Sequence, residues 1–344
     1  MKLKISALIV FGIFVAQVQP LYGDVREEIR KSWSEREERF RTGKIEFEVE
    51  ATQAPADTRS KRKTLQKSLF LFDKERARYV KSGAQYNFEA DTWQNETLTV
   101  AFDGERCYQF MESDRHKGHP PGYIEQATLF GESWNYQCLP IIMGFRPLTK
   151  ELQGVNPLEW SAEYTQAEIN GFKALVFDEG RFKFTVAPQL GYALVRQELF
   201  SMRKKQLMCR VDINYQINDE WGVLPEDWKI TVFSHNPPTI GEVLQGRITN
   251  MNLNTRVQDS DFVIEFPPGS VVMDGPKQAK FVVREDGSFR KVDLQETRTG
   301  KTYAEMMVTE APSVVKSRKN ILFWVFVVAL IGIGSAVFIF QRSR

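Results

Sequence analysis

The chain has little of what most enzyme chemistry needs. Its 344 residues include only three histidines and three cysteines. No CxxC pair occurs, which excludes zinc ribbons and thioredoxin-like redox motifs. For Cys107, Cys138 and Cys209 two readings stay open: one disulfide with one free thiol, or three buried thiols. His116 and His119 form an HxxH pair, but the GHPPG segment around the second histidine breaks a helix. No acidic third ligand has a matching spacing. His235 stands alone in the turn-like segment FSHNPP. The segment GESWN at 131–135 lacks the second glycine of a nucleophile elbow. No P-loop and no GxGxxG occurs. The net charge of +2 is not the basic excess of a nucleic-acid binder. There is no low-complexity tract and no long-period repeat. The sequence therefore names no catalytic residue, no metal ligand and no cofactor, and the chain is read as a non-enzyme.

Long apolar runs are present only at the two ends. The start, MKLKISALIVFGIFVAQVQPLYGD, has two lysines, an apolar run from Ile5 to Val18, then a proline and a small residue. That is the three-part pattern of a secretory signal over residues 1–23, with cleavage after Gly23. The competing reading is an uncleaved anchor, for which the apolar core is short. Near the other end, residues 321–340 are uncharged and apolar from Ile321 to Phe340. At about 1.5 Å per residue such a run crosses the roughly 30 Å hydrocarbon core. It is expected to be a single transmembrane helix followed by a tail at 341–344. Lysine and arginine flank both of its sides, so charge alone does not orient it. The signal peptide does: it exports the body and leaves QRSR in the cytoplasm.

Between the ends the apolar period changes once. Val25, Ile29, Trp33 and Phe40 recur at helical spacing with Arg, Glu and Lys between them, which predicts an amphipathic N-terminal helix. From KIEFEVEA onward the period is two: Ile45, Phe47 and Val49 alternate with glutamates, the pattern of a strand with one wet face. Strand signals follow in KSLFLFDK, RARYVKS, TLTVAFDG and RCYQFM, with a turn at Asp103-Gly104. Residues 112–124 read as an exposed loop. Residues 125–160 read as short helices broken by Pro140, Pro147 and Pro157. Strands then resume through the rest of the body, and residues 292–320 read as a polar stalk. Runs of strands with segregated helices indicate an α+β class. The expected architecture is a curved antiparallel sheet, a half-barrel, with the N-terminal helix and the short-helix insertion on its concave side.

Three segments carry a resemblance. VAPQLGYALVRQEL (186–199) reads as a strand, a turn with glycine and an aromatic, and an Arg-bearing strand. NDEWGVLPEDWKITVF (218–233) has a Trp-Gly turn and a proline opening the next strand. DFVIEFPPGSVVMD (261–274) reads as a closing edge in which Phe262, Ile264 and Phe266 share one face and Pro267-Pro268 ends the pairing. Because strand signals continue after it, it is read as an edge rather than a domain hinge. Together these resemble the LolA-like half-barrel superfamily of periplasmic lipoprotein carriers, the regulator RseB and LppX-type lipid-binding proteins. The resemblance makes residues 24–291 one LolA-like extracytoplasmic domain with an apolar cavity between sheet and helices. Family carriers are soluble or lipid-anchored, whereas this chain ends in the apolar run described above. A tethered domain does not shuttle cargo across a compartment.

The remaining signal is aromatic: 25 Phe, 10 Tyr and 7 Trp. Phe70, Phe72, Phe102, Phe182 and Phe184 lie in strand readings and are the candidate lining of a ligand cavity. The plainer reading of the same residues is core packing. The function expected is a tethered, non-catalytic domain that binds an apolar ligand, a lipid or acylated peptide, or senses the state of the envelope. The alternative is an interaction or regulatory module that docks another envelope protein without a bound lipid. The localisation expected is the cytoplasmic membrane, with the main domain periplasmic. No nucleic acid is expected among the partners.

Overall fold

The computed structural model describes residues 24–53, 62–87, 92–116, 118–126, 137–235, 238–293, 296 and 302–308. The expected signal peptide, the apolar run at 321–340, the tail and GESWN lie outside the described residues. Among the described residues no helix is long and apolar enough to cross a membrane. The chain divides into two compact units at Glu265/Phe266, inside the stretch read as a closing edge.

The first unit begins with α1 (Val25–Arg39), capped by the Asp24 carboxylate, which accepts the Arg26 amide at 3.0 Å. The predicted stripe is the one that is buried: Ile29, Trp33 and, just past the helix, Phe40 are covered. Strands β1 (Thr42–Gln53), β2 (Arg62–Asp73), β3 (Arg76–Asn87), β4 (Thr92–Phe102), β5 (Cys107–Ser113) and β6 (Pro121–Glu125) follow as a meander. The short apolar helix α2 (Leu139–Phe145) comes next, with Pro140 in its first turn, where a missing N–H costs nothing. Then come β7 (Thr165–Ile169), β8 (Phe172–Glu179), β9 (Phe182–Ala187), β10 (Ala193–Phe200), β11 (Leu207–Asn218), β12 (Gly222–His235) and β13 (Pro238–Leu253). Within this unit the strand order is β6-β5-β4-β3-β2-β1-β13-β12-β11-β10-β9-β8-β7. Every described pairing is antiparallel, and β1 joins the two meanders by pairing with β13 from Gly43↔Leu253 to Gln53↔Glu242. The order does not return on itself, so the sheet is unclosed.

The sheet must curve. β2 and β10 are five strand steps apart, about 24 Å if flat. Yet α2, about 10 Å long, packs on β10 and β12, and its Phe145 meets Phe72 of β2 at 6.0 Å between ring centroids. Helix α2 therefore sits in the concavity, and Ile29 and Trp33 of α1 join the same core. The class needs correcting: strands so dominate the described chain that it is mostly sheet rather than an even α+β mixture. Two local readings also change. Residues 121–125 pair with β5 instead of forming loop, and β7, which the sequence did not announce, pairs with β8. In the 261–274 stretch, Phe262, Ile264 and Phe266 are buried while Val263 is exposed. The alternation is right, but the ladder is absent over 263–270, and only Val271–Asp274 forms a strand. Burial of alternate residues does not require pairing, and the two prolines offer no N–H for one.

The second unit holds the hairpin strands β14 (Val271–Asp274), β15 (Ala279–Val283) and β16 (Phe289–Lys291). Helix α3 (Tyr303–Val308) places Met306 against Val282 and Val292. Arg290 and Glu296 form a buried ion pair at 2.6 Å. Part of the segment read as stalk is thus packed structure.

Several glycines of the first unit are set by packing, Gly246 most tightly. A Cβ on Gly246 of β13 would stand 2.0 Å from Cε2 of Trp228, whose indole lies across that strand and meets Phe47 at 5.3 Å. Gly246→Ala is expected to lower the unfolding free energy by about 1–3 kcal/mol. Urea titration measures this, and an unchanged midpoint would refute the packing account.

Candidate functional site

The turn between β9 and β10 fixes the site's geometry. Gly191 adopts φ 60° and Tyr192 φ 56°, so the carbonyls of residues 190–192 turn toward α1. Three side chains of α1 take them. Ser32 Oγ donates to Gly191 O at 2.7 Å, and Trp33 Nε1 donates to Tyr192 O at 2.8 Å. Arg36 Nη2 reaches Leu190 O and Gly191 O at 3.3 and 3.4 Å. Arg36 is buried, and burial pulls its pKa below the usual guanidinium range. From Trp33 a line of rings runs inward. Trp33 meets Trp160 edge-on at 5.7 Å, and Trp160 stacks on Phe184 at 4.7 Å.

The C-terminal end of α1 is held to the segment after α2. Arg146 Nη1 donates to Glu37 O at 3.0 Å and Phe40 O at 3.4 Å, supplying partners for carbonyls that the helix leaves open. In return Glu37 Oε1 accepts the amides of Leu148 at 2.7 Å and Thr149 at 3.1 Å. Burial pushes the Glu37 carboxyl up; the Arg146 charge and these donors pull the other way. This pair is a clamp between elements.

Between α2 and strands β9–β11 lies a cavity of about 300 Å³. Its sheet wall is two cross-strand rows. Phe182, Leu199 and Cys209 are register neighbours, and so are Phe184, Gln197 and Val211. Leu139 and Met143 of α2, with Gln153 and Val155 after it, close the opposite wall. Arg181 is the one charged residue lining the cavity, and it is exposed at the rim. The wall is otherwise apolar except for two glutamines, and Gln197 Oε1 is buried with no hydrogen-bond partner among the described residues. Burial pushes the Cys209 thiol up to about 11. Nothing here pairs titratable groups for proton transfer. The arrangement can exclude water and hold hydrocarbon.

Of the five candidate phenylalanines, Phe182 and Phe184 line this cavity. Phe70, Phe72 and Phe102 do not: they are fully buried in the packed core, where Phe72 contacts Phe70 and Phe145. Leu139, Met143, Leu199, Cys209 and Val211 were missed. Each looks like an ordinary core residue in sequence, and only the fold brings them to one void. All three cysteines are buried. Among the described residues no group of His, Cys, Asp or Glu could hold a metal ion, and His116 and His119 fall around a 3-10 turn that starts at Asp114.

No family model matches this chain, and no curated protein matches it. Solved structures resemble it weakly. A putative outer membrane lipoprotein-sorting protein domain from Vibrio parahaemolyticus is 12% identical with a TM-score of 0.42, covering 68% of this chain and 94% of that one. A DUF1329 family protein from Desulfovibrio piger is 8% identical with a TM-score of 0.42, covering 70% and 98%. A LolA superfamily protein from Nitrosomonas europaea is 13% identical with a TM-score of 0.39, covering 68% and 97%. Likeness of this size assigns no family.

Two outcomes follow from the cavity wall. Replacing Gln197 with leucine removes a buried acceptor that has no partner, so Gln197→Leu is expected to raise stability by about 1–2 kcal/mol in urea unfolding. A loss of stability would mean that the carbonyl is satisfied by bound water. Because the Cys209 thiol titrates near 11, its alkylation should accelerate about tenfold per pH unit below that value. A rate already flat at neutral pH, followed by peptide mass spectrometry, would contradict it.

Proposed function

We propose that the first unit is a non-catalytic binding domain of the LolA-like type, which holds a single apolar chain in the cavity between α2 and β9–β11. The observation that carries the reading is the void itself. A protein core normally fills such space, and this one leaves about 300 Å³ walled by Phe182, Phe184, Leu199 and Val211. At roughly 30 Å³ per water-sized group, it accommodates on the order of ten methylenes. That suits one acyl chain of medium length better than the several chains of a lipoprotein. The apolar run at 321–340 is proposed as a single-pass anchor in the cytoplasmic membrane. The exported body would then face the envelope, and the ligand would be a lipid or acylated peptide met at the membrane.

The lack of paired titratable groups around the cavity favours binding over catalysis. Docking of another envelope protein is the competing function, and no specific feature of the described surface favours it.

Leu199→Trp places an indole in the void. The full chain in lipid nanodiscs is expected to take up a fluorescent fatty acid, and the variant to lose most of that signal while retaining its unfolding midpoint. A wild-type chain that takes up no probe above empty nanodiscs would sink the reading, as would a variant that binds equally well.

A further inference from the structure

We propose that the ligand of this cavity is an amphiphile with one anionic head, a carboxylate or a phosphate, and that Arg181 holds that head at the rim. The proposal rests on the apolar-chain reading above and adds the polar end of the ligand.

Arg181 lies in the β8–β9 turn itself, beside Gly180, which takes φ 69°. The two nearest acids in sequence are committed elsewhere. Asp178 pairs with Lys183 at 3.0 Å, and Glu179 Oε1 accepts the Ser161 amide at 2.7 Å. No carboxylate lies within ion-pair distance of the Arg181 guanidinium among the described residues, and the Phe182 ring lies 5.7 Å from its Cζ. A further cation stands at the same turn: Lys205 Nζ donates to Gly180 O at 3.5 Å. No Asp or Glu lines the cavity. The field at the mouth is therefore positive, and the space behind it is apolar.

These two properties select one kind of molecule. A charged head is expensive to bury, so it stays at the exposed guanidinium, which matches a carboxylate or phosphate with two parallel N–H donors. The chain beyond it passes the Phe182 row and then the Phe184 row. A cationic amphiphile would meet repulsion at the rim, and a neutral one would leave Arg181 unused.

Protection of Cys209 from N-ethylmaleimide at alkaline pH reports occupancy from inside the cavity. The full chain in zwitterionic nanodiscs is used, and Cys107 and Cys138, both 0% exposed, serve as controls in the same digest. Decanoate and decyl phosphate are expected to protect Cys209 at concentrations about tenfold lower than decanol, and inorganic phosphate is expected not to protect it. Arg181→Gln should erase the advantage of the acids over decanol, and Arg181→Lys should keep part of it. If decanol protects as well as the acids, or if the advantage survives in Arg181→Gln, the head-group inference falls and the apolar-chain reading stands. If no decyl probe protects, the apolar-chain reading falls and takes this inference with it. Protection by inorganic phosphate alone would replace the amphiphile with a simple anion. Should Cys209 prove unreactive throughout, quenching of tryptophan fluorescence by brominated decanoate and brominated decanol, each compared with its effect on Trp160→Phe, gives the same ranking through the stack of Trp160 on Phe184.

Discussion

The docking of α1 onto the carbonyls of the β9–β10 turn is the contact on which the rest of the first unit depends. A sheet of this length has one face that must be covered, and α1 covers it only if its entry angle is fixed. Ser32, Trp33 and Arg36 fix it by donating to carbonyls of residues 190–192, more than 150 positions away in the chain. Those carbonyls point at the helix because Gly191 and Tyr192 take left-handed backbone angles. The first of these costs little at a glycine, and the second is a price that the hydrogen bonds offset. A buried guanidinium held by two long hydrogen bonds to carbonyls is a weak source of stability. It does select one docking over others, since any other placement would leave the charge with no dipole to face.

The cavity is a consequence of this arrangement. The Glu37–Arg146 clamp holds the segment after α2 close to the end of α1, and Phe40 and Phe145 meet there edge-on at 5.5 Å. Gly144 lets α2 approach β12 closely, since a Cβ there would lie 2.7 Å from Pro225. With α2 held toward β12 and β2, its other flank cannot also reach β9. The space left there is lined by Leu139 and Met143 on one side and Phe182 and Phe184 on the other. Filled core and open cavity thus share one concave face, divided by where one seven-residue helix rests.

Much of the fold was legible in the sequence because period carries burial directly. The stripe of Ile29, Trp33 and Phe40 and the alternation of Ile45, Phe47 and Val49 each required one side to meet a core, and each did. The same logic misled at 261–274, where alternation persists without a ladder. It was silent on β7, whose residues are mostly exposed. For the candidate site, period could not separate Phe70 from Phe184. Both sit on inward faces of strands, and one meets Phe72 while the other borders a void.

The sequence by itself determined which residues of α1 and β1 turn inward and that the chain changes from helix to strand after α1. These are local properties, decided by side-chain period and residue type. Only the tertiary structure decided that Leu139, Phe184, Gln197 and Cys209 face one another, that Arg181 has no ion-pair partner among the described residues, and that Phe70, Phe72 and Phe102 are filled core. Whether an inward side chain meets a neighbour or empty space depends on which distant segment lies across from it. That choice is made by a few long-range hydrogen bonds between α1 and a turn, which leave no periodic trace in the chain.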